Sequence, residues 1–360
     1  MIYDIVIIGA GPSGSTLARI LDKKYKVLLI DKRNLKDKEE FKSPKCCGGL
    51  LAPDAQKVLA QFRLGLPKEV IVGPQMFSVR AIDFDNEIQK YYQRHYINVD
   101  REKFDRWLLS LTLIRDNVEI KTSCIFKDYK EIEDKIEVEI YNNGVTEKIY
   151  TRLLIGADGG ASKVRRMIVE DYKEPDLYIS IQKWYELSRE LPHFVSIFDD
   201  EVTDFYSWII QKENYAIVGS AIFDSHDGNE KFEKLIDKLR LRGYKFGKCV
   251  KSEGAWIMRP RNLKQINLFK ENVALTGEAA GFISPSSAEG ISYALRSGAI
   301  LAESINRSIE KYGLYYKNKT FKLRMNIFLK NLKSILMYNK FTRNLIMKTG
   351  VLSMEVDKKN

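Results

Sequence analysis

The chain has 360 residues with 44% hydrophobic and 30% charged content, which excludes a disordered polymer and suffices for about two domains with real cores. Its formal net charge is +11, but residues 311–360 hold twelve Lys/Arg against two acidic residues, so the body is close to neutral and a nucleic-acid-binding core is excluded. No apolar run reaches the ~18 residues of a membrane span, and the first residues lack the basic region of a signal peptide, so a cytoplasmic location is expected.

Residues 3–8 form an apolar, β-branched run that suits a strand buried on both faces. It enters the turn Gly9-Ala10-Gly11-Pro12-Ser13-Gly14, after which Leu17, Ile20 and Leu21 fall at helical spacing. Residues 26–30 make a second buried strand that ends on Asp31. This is G-x-G-x-x-G between a strand and a helix, with an acid at the end of the next strand, and each part has a task. Gly9 allows the tight turn, Gly11 lets a pyrophosphate approach the backbone, and Gly14 lets the helix pack on the strand. The helix N-terminus presents free N–H groups to phosphates, and Asp31 is placed to accept hydrogen bonds from a ribose.

Residues 32–42 are charged and read as a surface loop. In Ser43-Pro44-Lys45-Cys46-Cys47-Gly48-Gly49 the glycines permit close approach of something flat or bulky. A glycine turn holding a structural cysteine fits the same residues. A helix is expected over 54–64 and strands over 70–89. Asp100 caps a helix carrying Phe104, Trp107, Leu108 and Leu111 on one face, with Arg101 in its first turn, where a cation gains nothing from the dipole. Residues 118–150 hold three strand-like runs, with a hairpin turn at Asn142-Asn143-Gly144. Residues 153–156 form another buried strand, ending in Ala157-Asp158-Gly159-Gly160 before a helix opens. Four cysteines, two of them adjacent, and three isolated histidines give neither a disulfide framework nor a metal site.

Residues 178–257 shift to aromatic, β-rich segments with a charged helix near 229–242, which reads as a second, sheet-based domain. Tyr206 and Trp208 share one strand face there. That face suits either an apolar cavity wall or packing on the sheet's own core. A further buried strand over 272–275 ends in Thr276-Gly277-Glu278, and Ala279-Ala280-Gly281-Phe282 leads through Gly290 and Ile291 into a helix reaching about residue 306. Strand ends at 8, 155 and 275 thus share one design. In the tail, Phe321, Met325, Phe328, Leu332, Ile335 and Leu336 recur at steps of three and four, which predicts an amphipathic helical segment over 317–348. Lys322, Arg324, Lys330, Lys333, Lys340 and Arg343 are interspersed. The apolar stripe either caps the body with the lysines solvated or also lies on an anionic membrane surface.

With these motifs in order, the chain resembles flavoproteins of the para-hydroxybenzoate-hydroxylase-like fold. Among them it is most similar to the geranylgeranyl reductase family and its CbrA-like bacterial branch, over roughly residues 1–310. The resemblance implies an α/β fold with a Rossmann-type FAD-binding domain (1–72, 97–173 and 265–312), a β-sheet substrate domain (73–96 and 174–264) and a basic helical tail (313–360). It implies FAD held by Gly9, Gly11, Ser13, Gly14 and Asp31, by the loop Cys46-Cys47-Gly48-Gly49 beside the flavin, and by Arg101. Cys124, through its backbone, lies near the adenine. Asp158 and Gly159 support the diphosphate, and Gly277, Glu278, Gly281, Gly290 and Ile291 complete the set. Glu278 stands where the family has Asp, its carboxylate one methylene longer. The family's cavity motif Y-x-W-x-F-P-K is met by Tyr206, Trp208 and Lys212, with Ile210 and Gln211 in place of Phe-Pro.

The implied activity is hydride transfer from reduced FAD to a C=C bond of a hydrophobic, isoprenoid substrate, with Cys46 or Cys47 as proton donor or redox relay. A flavin monooxygenase and a non-catalytic prenyl-lipid-binding flavoprotein are the alternatives on the same scaffold. No second G-x-G-x-x-G exists, so the electron donor is either NAD(P)H bound transiently or a reduced ferredoxin.

Overall fold

The computed structural model describes residues 2–35, 46–169, 174–223 and 226–349. The chain divides into two compact units. One comprises Met1–Pro44, Glu102–Pro175 and Met258–Leu329, the other Lys45–Arg101, Asp176–Ile257 and Lys330–Asn360. The cysteine pair thus belongs to the second unit, and the tail is divided between the two. Most of the expected loop over 32–42, together with Ser43, Pro44 and Lys45, lies outside the described residues.

In the first unit the strand Ile2–Ile8 is central because Ile5, Val6, Ile7 and Ile8 are all buried, as a strand covered on both faces requires. It pairs in parallel with Val27–Ile30 on one side and with the end of Val145–Gly156 on the other. Parallel strands Val118–Lys121 and Val273–Leu275 extend the sheet outward. Ile8 is level with both Ile30 and Gly156, and Gly156 with Leu275, so three strand ends far apart in sequence finish side by side. The first half of Val145–Gly156 instead pairs antiparallel with Lys135–Asn142, which pairs with Cys124–Ile132. The connecting turn holds Asn143 at φ +48° and Gly144 at φ +86°, the primed geometry that matches strand twist. The helix Pro12–Ile20 packs on Ile291–Arg307 at close range, since a Cβ on Gly298 would stand 2.5 Å from the Ser13 carbonyl oxygen.

The second unit is built on an eight-stranded sheet in the order Phe246–Arg259, Asp176–Leu187, Tyr215–Ile222, Thr203–Lys212, Phe194–Asp199, Met76–Asp83, Ile88–Asn98, Leu50–Leu51. The helix Gly228–Leu241 covers one face, burying Phe232, Leu235, Ile236 and Leu239 against Ile181, Ile209 and Val218. Each such side chain contributes at most about 3 kcal/mol of apolar burial. Tyr206, Trp208, Ile210 and Lys212 alternate onto the opposite face.

The tail is not one helix. It breaks near Thr320 and Asn339 into Tyr312–Lys319, Phe321–Tyr338 and Lys340–Thr349. The expected apolar stripe is not a buried cap. Leu323 and Ile327 point into the first unit's core, while Phe321, Phe328, Leu332, Ile335 and Leu336 are exposed. Arg343 is no surface base either. It is buried and ion-paired with Asp83 (2.7 Å) and Asp85 (2.7 Å), which anchors the last helix on the second unit's sheet.

Candidate functional site

The first unit gathers its candidate residues at the carboxyl edge of the parallel sheet. Gly9 holds φ +107°, and a Cβ there would stand 2.5 Å from the Ala157 carbonyl oxygen. A Cβ on Gly14 would collide with the Gly9 carbonyl oxygen. Gly11 differs, because its Cβ would meet nothing within 4 Å. Nothing in the fold therefore demands glycine at position 11, and the small residue leaves room for a ligand at the helix N-terminus.

Asp31 closes this corner. Its Oδ2 accepts from the Ala10 amide at 2.7 Å, and both oxygens accept from Arg33, whose NH1 reaches Asp105 Oδ2 at 2.8 Å. Burial would lower the Arg33 pKa, but Asp31 and Asp105 more than offset that and hold it charged. Asp31 is thus already engaged with the chain, and a ribose hydroxyl would share oxygens that also bind Arg33 and Ala10. Neither Arg33 nor Asp105 was singled out by sequence reasoning. The D-x-R spacing at the strand end was the available signal. Cys124 does lie beside this corner, with its amide donating to the Asp31 carbonyl oxygen at 3.0 Å.

Asp158 follows the neighbouring strand end. Its Oδ2 accepts from the amide of Lys163 at 2.8 Å, whereas its Oδ1 is buried with no partner. Burial pushes the carboxyl pKa up. Gly159 beside it holds φ +83°. The third strand end brings Gly277 (φ +63°), whose amide donates to Ser297 Oγ at 2.9 Å. Ser13 Oγ lies 2.9 Å from Thr276 Oγ1, and that hydroxyl donates to Ser297 at 3.1 Å. Ser13 therefore ties its helix to this strand end through a hydroxyl chain that the motif alone did not reveal. Glu278 Oε1 accepts from the Met258 amide at 3.2 Å, a reach that the longer side chain makes available. Gly281 (φ +88°) turns the chain against Gln265, and Gly290 precedes Ile291 at the start of its 17-residue helix. Open space at Gly11 and the unsatisfied Asp158 Oδ1 are what a bound dinucleotide with hydroxyl-bearing sugars would use, so the residues present fit FAD.

The second unit brings together the other predicted set. The cysteine loop lies on the sheet face that carries Tyr206, Trp208 and Lys212: Cys46 Sγ is 3.8 Å from Ser180 Oγ, and a Cβ on Gly48 would strike Ile210. Gly49 holds φ +62°, and a Cβ there would sit 2.8 Å from Lys212 Nζ. The two thiols differ. Cys46 is buried, which pushes its pKa up to about 12. Cys47 Sγ accepts from Arg101 NH1 at 3.0 Å and from the Gly49 amide at 3.5 Å. Arg101, awkward for a helix dipole, thus has a side-chain partner that rewards its placement.

Lys212 is buried and donates to Asn98 Oδ1 at 2.6 Å and the Val99 carbonyl oxygen at 2.7 Å; burial pushes its pKa down to about 7. Asn98, missed in the sequence, also donates to the Pro74 and Gln211 carbonyl oxygens. Trp208 lies over Gly219, where any side chain would collide with its ring, and 5.3 Å between centroids from Tyr206. Its Nε1 is buried without a partner.

An open parallel sheet with a glycine-rich first turn, in one chain with a large, mostly antiparallel sheet that includes one parallel pair, is the architecture found among FAD-dependent oxidoreductases and monooxygenases. The family described as NAD(P)-binding Rossmann-like domain matches residues 7–35. A geranylgeranyl bacteriochlorophyll reductase-like protein from Thermoplasma acidophilum shares the fold at TM-score 0.82 and 19% identity, over 96% of this chain and 91% of that one. PqsL, a probable FAD-dependent monooxygenase from Pseudomonas aeruginosa, does so at 0.69 and 17% over 97% and 99%. Protein CbrA of Escherichia coli O6:H1 is 41% identical over 97% of this chain and 94% of its own length. The chain belongs to the CbrA family.

Proposed function

We propose that the protein is an FAD-dependent oxidoreductase that reduces C=C bonds of a hydrophobic, isoprenoid substrate. One observation carries this reading above the shared fold: the cysteine loop lies on the Tyr206–Trp208 face with Cys47 Sγ held 3.0 Å from the Arg101 guanidinium. When bound, reduced FAD supplies the hydride. Gly9, Gly11, Gly14, Asp31, Asp158 and Gly277 hold its dinucleotide end. Tyr206 and Trp208 offer apolar surface to a polyprenyl chain. The other alkene carbon needs a proton. Cys47 is the donor, because the thiolate it leaves behind is stabilised by Arg101 and the Gly49 amide. Cys46, whose burial outweighs the pull of Lys251 and pushes its pKa up to about 12, is the structural member of the pair.

The test is anaerobic reduction of the holoprotein with NADPH, NADH or reduced ferredoxin, followed by reoxidation with polyprenyl lipids or O₂. Lipid-dependent reoxidation supports the reductase and identifies the electron donor. Substrate-stimulated O₂ consumption with a hydroxylated product replaces it with a monooxygenase. Bound lipid with neither reaction replaces it with a lipid-binding flavoprotein.

A further inference from the structure

Along the helix Phe321–Tyr338, six large apolar side chains are 40–66% exposed: Phe321, Phe328, Leu329, Leu332, Ile335 and Leu336. At 3.6 residues per turn they fall, with half-buried Met325 among them, within an arc of about 120°. The buried side of the helix is formed instead by Leu323, Ile327, Asn331 and Ser334. Lys322 and Lys333 border the exposed stripe on one flank and Arg324 on the other. In the next helix Phe341 and Leu345 are again exposed, with Lys340 and Lys348 beside them. Residues 311–349 contain ten Lys/Arg and no acidic residue. Soluble monomers seldom leave apolar surface on this scale uncovered.

We propose that this stripe is a docking face for an anionic lipid bilayer, on which the Phe321–Tyr338 helix lies in the plane of the interface. Its apolar arc enters the acyl boundary while the flanking lysines meet the headgroups. Charge selects this occupant. A second copy seated on the same face would oppose two wholly basic surfaces, and the centres of protein interfaces are depleted of lysine. A bilayer needs only a one-sided apolar arc with basic borders. No described helix is long and apolar enough to cross a membrane, so the contact is in-plane rather than spanning. Arg343 takes no part, because it is committed to Asp83 and Asp85. The proposal rests on this surface alone and stands apart from the flavin chemistry.

The test is co-sedimentation of the full-length holoprotein with phosphatidylcholine vesicles and with vesicles containing phosphatidylglycerol, at low and high salt. Binding is expected to the anionic vesicles only and to weaken with salt. It is lost in Leu332→Gln/Ile335→Gln and falls roughly 30-fold in Lys322→Gln/Lys333→Gln, about fivefold per lysine. Unchanged circular dichroism and bound flavin establish that these surface variants are folded. Equal binding to both vesicle types, or binding to neither, overturns the proposal. So does a dimer in sedimentation velocity that Ile335→Gln dissociates without any vesicle binding, since a second copy then covers the face. Vesicle binding that emerges only after removal of residues 350–360 likewise overturns it, by making that segment the cover.

Discussion

At the carboxyl edge of the first sheet the working parts are backbone: glycines at 9, 14 and 277 that admit no Cβ, a helix N-terminus and three strand ends in register. On the second sheet they are side chains. Cys47 pairs with Arg101 and Lys212 with Asn98, from three separate stretches; Arg101, Asn98 and Lys212 are buried and Cys47 half-buried. The contrast shows how each region answers to change. A backbone site tolerates almost nothing at its glycines but takes its specificity from space, whereas a side-chain site can be altered one group at a time and read through pH and reactivity.

The largest effects are expected at the glycines, where two substitutions separate fold from ligand. Gly14→Ala drives a Cβ into the Gly9 carbonyl oxygen and should cost roughly 3 kcal/mol or more, seen as a lowered Tm or insoluble protein. The Cβ of Gly11→Val meets no protein atom within 4 Å, so its melting as apoprotein should stay close to the parent while FAD affinity falls roughly 10- to 100-fold. A Gly11→Val protein that is yellow with full FAD content breaks the assignment of this corner.

Arg343, which is buried, and Arg33, which is largely buried, extend the comparison. Removing Arg343 strands Asp83 and Asp85, and removing Arg33 strands Asp31 and Asp105; each alanine variant should lose roughly 3–5 kcal/mol in denaturant unfolding. Arg33→Ala should also weaken FAD binding, since Asp31 is freed to move, whereas Arg343→Ala should not. Equal flavin loss in both would remove Arg33 from the dinucleotide corner.

Lys212 gives a smaller, pH-dependent effect. Burial pushes its pKa from 10.5 down to about 7, so between these values the unfolded chain holds a proton that the folded chain lacks. Wild-type stability should therefore rise with pH through that window relative to Lys212→Met, by at most about 1.4 kcal/mol per pH unit. Below pH 7 both states are protonated and the burial penalty is complete. Parallel stability curves for the two proteins across the window would show that Lys212 stays charged on Asn98 and Val99. Smallest is a difference in labelling: in a Cys249→Ser background, iodoacetamide at neutral pH should modify Cys47 well before Cys46, as peptide mass mapping would show.

The sequence was most legible where chemistry is written in glycine. Residues 3–31 carry strand, turn, helix and acid contiguously, and the ends at 155 and 275 repeat the pattern, so their convergence followed from the topology of parallel sheets. The partners of Asp31 were hidden because Asp105 lies on a helix far along the chain, and no local pattern marks a buried ion pair. Likewise Asn98 reads as an ordinary polar residue, because its partner Lys212 lies on a strand separated from its own by two others in the sheet. The tail misled for a related reason. A period of three and four marks a helix but not which face is buried, and Leu323 and Ile327, absent from the predicted stripe, turned out to be the inward pair.

In the proposed reaction Cys47, held by Arg101, supplies the proton that completes reduction of an isoprenoid double bond. This step is tested most directly by anaerobic stopped-flow reoxidation of the reduced holoprotein with a polyprenyl lipid, in wild type, Cys46→Ala and Cys47→Ala. A general acid contributes roughly 10²- to 10⁴-fold, so Cys47→Ala should slow flavin reoxidation by at least about a hundredfold with FAD retained, while Cys46→Ala stays close to wild type. Lipid-driven reoxidation at equal rates in all three proteins, or none in any of them, would contradict it.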